Sequence, residues 1–180
     1  MTKAALNLDT ALGSFVFVAV CDHRPGEVSL ELRTFEPRLS LPAGMSVLRC
    51  RAVVLRVTTQ VDVAILRWSC ESPPSVAGSP CSGEDLDAQE WEAGGRLVVV
   101  GTEDEDAIAR RLGFLQLDPN ANLAQYSPQK LEMRIPCIPA SAAFSLHFIL
   151  AENTSPEPVD ASAWFAGDIP RKHLAAPDAA

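Results

Sequence analysis

Three clusters in this chain bring together side chains capable of chemistry. Cys21, Asp22 and His23 are consecutive, and a cysteine with a histidine nearby is the pairing that activates a thiolate nucleophile. Neighbouring residues at a strand end point apart, however, so the triplet predicts a turn rather than a catalytic pair. His147 and Ser145 share one face of an alternating segment, but no G-x-S-x-G elbow surrounds any serine, so His147 reads as a structural histidine. The run Glu103-Asp104-Glu105-Asp106 lacks the D-x-D-x-D-G spacing of a calcium loop, and on a helix its carboxylates diverge around the axis. With only three histidines a His-rich metal centre is not expected, and Gly94-Gly95 lacks the G-K-[ST] ending of a phosphate-binding loop. No dinucleotide fingerprint occurs. The expectation is a protein without enzymatic activity, cofactor or metal.

What remains is recognition by charge. The formal net charge is −8 and the sequence pI about 4.8, so nucleic acid and anionic membrane surfaces would be repelled. Among Trp68, Trp91 and Trp164, only Trp91 lies in a strongly acidic setting, between Glu84, Asp85, Asp87, Glu90 and Glu92. An aromatic anchor rimmed by carboxylates suits a basic protein surface, so these six residues form the predicted interface. Bacterial inhibitor and immunity proteins share this profile of size and acidity, although no motif carries the likeness. The expected function is therefore docking onto a basic partner protein, with homodimerisation through open sheet edges as a further expectation. A small-molecule carrier with its ligand between sheets or in a barrel mouth is the alternative, and a hydrolase without a recognisable motif is third.

The elements that must position these residues are mostly strands. Met45 to Trp68 is rich in valine, isoleucine and leucine without proline or glycine, and should fold near Thr58–Gln60 into a central strand pair. Ser14–Val20 and Glu27–Phe35 read as one hairpin, and Lys130–Ile135 with Ala143–Ala151 as a second, each with alternating inward apolar residues. Arg96–Val100 and Phe114–Leu117 are shorter strand candidates, whereas residues 1–13 carry no clear pattern. Thr102 and Glu105 make a capping box, acidic residues crowd the first turn, Arg110 and Arg111 the last, and Gly113 sits at C′, which predicts a helix over 103–112. Ser82 ahead of Asp85, with Gly94-Gly95 as the stop, suggests another short helix over Gly83–Trp91. The fold expected is a mostly antiparallel β-sandwich with one clear short helix; a flattened barrel fits the same alternation.

At 180 residues and 47% hydrophobic content, the chain is expected to form a single domain over 1–180, with a Pro/Ser/Gly-rich acidic loop at 70–95 and a frayed tail from about 172. Five cysteines without a C-x-x-C pair read as reduced thiols of a cytoplasmic protein, with a Cys70–Cys81 bridge expected only after export. Phe15–Val20 ending at Cys21 faintly resembles the lipobox of bacterial lipoproteins, which would imply export and lipidation at Cys21. The run is short and only Lys3 precedes it as a basic residue, so a strand is the preferred reading.

Overall fold

The computed structural model describes residues 1–83, 86–118 and 122–168. It is an antiparallel β-sandwich. One sheet contains β1 (Thr2–Thr10), β2 (Gly13–Cys21), β5 (Val63–Glu71), β10 (Lys130–Ile138) and β9 (Ala124–Ser127), in the order β1-β2-β5-β10-β9. The other contains β3 (Val28–Phe35), β4 (Arg49–Thr59), β11 (Ala143–Thr154), β8 (Arg96–Glu103), β7 (Leu86–Ala93) and β6 (Gly78–Pro80), in the order β3-β4-β11-β8-β7-β6. β1 lies beside β3 and β6 beside β9, so the sheets approach each other along both sides.

Alternation explains the core. Phe15 and Phe17 of β2, Trp68 of β5, Leu131, Met133 and Ile135 of β10, and Val53, Leu55 and Phe148 from the opposite sheet all face inward and are fully buried or nearly so. Trp68 stacks on Phe148 across the gap, with ring centroids 5.0 Å apart. Burial of each such side chain contributes roughly 1.5–3 kcal/mol, which is why the space between sheets is filled by rings and branched chains. The six-stranded sheet is also covered on its outer face, where α2 (Ser162–Gly167) packs Ala163 and Ala166 against Val99, Ile149 and Ala151. That second cover accounts for the continuous apolar run at Leu97–Val100, a strand buried on both sides.

Three links expected to be hairpins instead cross between sheets. β2 and β3, β4 and β5, and β10 and β11 each belong to different sheets, so neither strand of any of these couples bonds to the other. β4 bonds to β3 and β11, while β5 bonds to β2 and β10, so the two halves of the 45–68 stretch are each internal to their own sheet. The true local hairpins include β1–β2, whose first strand lies in the region without a clear pattern, and β7–β8.

The predicted helix over 83–91 is overturned, and so is an uninterrupted loop over 70–95. Gly94 and Gly95 both have positive φ, 57° and 72°, and form the two-residue turn joining Ala93 to its partner Arg96. That is a hairpin turn rather than a helix stop, because positive φ at both central residues matches the strand twist. Phe114–Leu117 lies outside the named strands, and Ser162–Gly167 is helical. The other helix, α1, runs from Glu105 to Leu112 and ends at Gly113, whose φ of 68° and N–H bond to the Ala109 carbonyl fit the expected C′ role. Its start is Asp104, not Thr102: Asp104 Oδ1 accepts the Ala107 N–H at 2.5 Å, while Thr102 is still in β8. Cys70 and Cys81 are both free thiols, and Cys21 closes β2 as a buried residue. Among the described residues no helix is long and apolar enough to cross a membrane. The residues beyond 172, predicted to fray, lie outside the described part of the chain.

Candidate binding site

The predicted interface is divided by the strand it lies on. Because β7 is extended, Asp87, Gln89 and Trp91 project to one face and Leu86, Ala88, Glu90 and Glu92 to the other. Trp91 is fully buried, edge-on to Phe15 with centroids 5.2 Å apart, and its indole N–H donates to the Pro128 carbonyl at 3.0 Å. It is a core residue and cannot serve as a surface anchor. Glu90 and Glu92 are on the outer face. Burial raises the Glu90 carboxyl above its ordinary range, with Glu92 and Glu157 adding repulsion. Glu84 and Asp85 lie outside the described residues.

Among the described members of the six, Asp87 reaches a crevice. It lines a cavity of about 240 Å³ with Asp104, Glu105 and Asp106 from the start of α1, Asn122 just ahead of β9, and Ala124 and Tyr126 of β9. Two of the carboxylates are fixed by backbone bonds: Asp104 through its helix cap, and Glu105 through Oε2, which accepts the Leu123 N–H at 3.0 Å. Tyr126 donates its hydroxyl to Asp87 Oδ1 at 2.7 Å and lies 2.6 Å from the Ser82 hydroxyl, which then acts as donor in that contact. Burial pushes the Asp87 carboxyl up, the Tyr126 and Ser82 hydrogen bonds oppose this, and the Glu105 and Asp104 charges raise it further. No lysine or arginine lines the cavity among the described residues. Arg110 and Arg111 are at the opposite end of α1, and Arg111 is bound through Nε and Nη2 to both oxygens of Glu103. The helix therefore sorts its charges, presenting carboxylates to the crevice and guanidinium groups away from it.

This arrangement can attract a cationic group. The gap is the size of one long side chain, its walls are carboxylates, and the charge on Asp87 is disfavoured until a positive group compensates it. Among the described residues no group of three or more histidines, cysteines, aspartates or glutamates is arranged to hold a metal ion. Tyr126 was missed by sequence reasoning because nothing local marks it, and Ser82 was read as a helix cap rather than as a partner of Tyr126. The approach of β9 to the β6–β7 side brings Tyr126 to Asp87 from 39 residues away.

His147 proves to have a carboxylate close by, Glu103 Oε2 at 3.8 Å from Nδ1, and its backbone carbonyl accepts the Thr102 hydroxyl at 2.6 Å. The histidine is 3% exposed. Ser145, two residues along the same strand face, is separated from it by roughly 7 Å of strand, which is too long for a nucleophile–base contact. A second cavity, about 360 Å³, opens at this end of the sandwich between Arg111, Leu112, Phe114 and the Pro139–Phe144 turn, with Phe114 and Phe144 5.6 Å apart. Compared with known proteins, the chain matches no family model, no curated protein and no solved structure.

Proposed function

We propose that this protein is a non-enzymatic interaction module that docks onto a basic partner protein, taking a lysine or arginine side chain into the crevice formed by Asp87, Asp104, Glu105, Asp106 and Tyr126. The observation that carries this reading is the convergence of four carboxylates on one cavity without a lining cation among the described residues. The inter-sheet core adds support, because large buried side chains such as Trp68, Phe15, Phe17 and Phe148 occupy it. The net charge of −8 would steer a basic partner toward the molecule at long range.

The test is titration with a lysine- and arginine-rich peptide, followed by amide chemical shifts. Shifts centred on Asp87, Asp106, Ala124 and Tyr126, removed by high salt and weakened about tenfold or more in Asp87→Asn/Asp106→Asn, are expected. Shifts scattered over the acidic surface, or unchanged in the double variant, would rule the crevice out. The second reading, a small-molecule carrier, draws on the cavity beside Phe114 and Phe144, whose aromatic pair and Arg111 would suit a flat ligand with one acceptor group.

A further inference from the structure

Among the described residues β1 is the longest strand whose outer edge has no hydrogen-bonded neighbour strand. Of the other terminal strands, β9 has four residues and β6 three, one of them Pro80; β3 has eight, and its exposed charges, Arg33 and Glu31, pair with each other at 3.7 Å. β1 has nine residues, and its exposed side chains are Lys3, Ala5, Asn7 and Asp9. Lys3 and Asp9 are roughly 20 Å apart along the strand and cannot reach each other. Neither has an ion-pair partner among the described residues.

The direction of each backbone group in β1 follows from its hairpin. Thr10 pairs with Gly13 across the two-residue turn Ala11-Leu12. That closing pair must be the hydrogen-bonded kind, because the alternative would require Leu12 to bond its own neighbour Ala11. Alternation then turns the N–H and C=O groups of the even residues toward β2 and those of Lys3, Ala5, Asn7 and Asp9 outward. The Asp9 carbonyl confirms the direction by accepting Arg49 Nη1 at 2.8 Å from outside the sheet, and its second lone pair remains for another donor.

We propose that two copies of this chain associate by antiparallel pairing of their β1 edges, joining the two five-stranded sheets into one continuous sheet. A two-fold axis at Leu6 gives a register in which the outward-bonding residues meet outward-bonding residues: Lys3 faces Asp9 of the second copy, and Ala5 faces its Asn7. The same register places the two Leu6 side chains together and each Ala4 against Leu8 on the core-facing side. Every unpaired charge of the edge is thereby matched to an opposite charge, and the axis repeats each contact. Small side chains beside the axis, Ala4 and Ala5, let the strands approach. The occupant is a second copy because the strand is complementary to itself.

Edge pairing buries less than a standard interface, so association should appear with rising concentration, up to about 1 mM. Sedimentation equilibrium of the full chain is the measurement. Lys3→Asp and Asp9→Lys each place like charges opposite one another and should weaken association at least tenfold, whereas Lys3→Asp/Asp9→Lys should restore it to within about threefold of the original. Both positions are exposed, so the variants retain the fold. The Ala5 and Asn7 amides, which turn away from β2, should also gain protection from hydrogen exchange as concentration rises. A monomer throughout that range would overturn the proposal. So would a dimer indifferent to the single reversals, or one that the double exchange fails to restore.

Discussion

Tyr126 of β9 donates its hydroxyl to Asp87 of β7, a 2.7 Å bond between two different sheets at the side where their edges approach. It holds a carboxylate where burial, and then the neighbouring Glu105 and Asp104, push the proton affinity up. An acid with a raised folded-state pKa favours the folded form most below its unfolded value, near 3.9, and this contribution is lost as pH rises through the folded value. Asp87→Asn retains an oxygen for Tyr126 and removes the penalty. Thermal melts across that window should show a shallower fall in stability with rising pH, with a melting temperature at pH 7 equal to or above that of the parent. A lower one would mean that the Asp87 charge stabilises the fold.

Most strands were legible because each has one face on the inter-sheet core, so Val53-Leu55-Val57 and Leu131-Met133-Ile135 alternate cleanly. Their pairing was not. A short link such as Gln60–Asp62 can close a hairpin within one sheet or carry the chain across to the other, and alternation is the same in both cases. The Trp91 environment misled for a related reason: Glu90 and Glu92, beside it in sequence, project from the opposite face of β7, while its actual neighbours, Phe15 and Pro128, are distant in sequence. The crevice was half visible, since the acidic start of α1 was predicted and Tyr126 was not.

Gly78 fixes how closely β6 can lie on β7. A methyl group there would stand 2.5 Å from the Glu90 carbonyl oxygen and 2.5 Å from Trp91 Nε1. The first is backbone and the second belongs to a fully buried ring, so neither can yield without moving the strand pair. Gly78→Ala should destabilise the protein by about 1–3 kcal/mol, measured by urea unfolding. An unchanged midpoint would show that β6 moves without cost.

Glu132 behaves in the opposite sense to Asp87. Burial alone would raise its carboxyl, but hydrogen bonds from Lys130 and Arg134, two residues away on either side, hold it below the ordinary range. Its stabilisation is present above the unfolded pKa and is lost as pH falls through the folded one. Glu132→Gln should cost about 1–2 kcal/mol at pH 7, less than a fully buried pair because both cations are partly in water. The difference from the parent should shrink in acid, as urea midpoints at pH 7 and pH 3 would reveal; a constant difference would place the effect in packing instead.

The cysteines report whether the sandwich opens. Cys137 is exposed, Cys81 is half-buried, and Cys21, Cys50 and Cys70 are buried. Burial pushes the Cys50 and Cys81 thiols up to about 12, with Glu90 adding to the effect at Cys81, and raises Cys70 well above its ordinary value. Since the thiolate is the reactive form, these groups are inert at neutral pH for two reasons, restricted access and protonation. Iodoacetamide at pH 7.5 should therefore label Cys137 first in the native protein, and all five cysteines should react after denaturation. Cys50 bears on the outer cover, because it lies on the α2-facing side of its sheet, whereas Cys70 lies in the inter-sheet core. Labelling of Cys50 ahead of Cys70 during gentle heating would mean that α2 lifts before the sheets part; simultaneous labelling would mean that the two layers unfold as one unit.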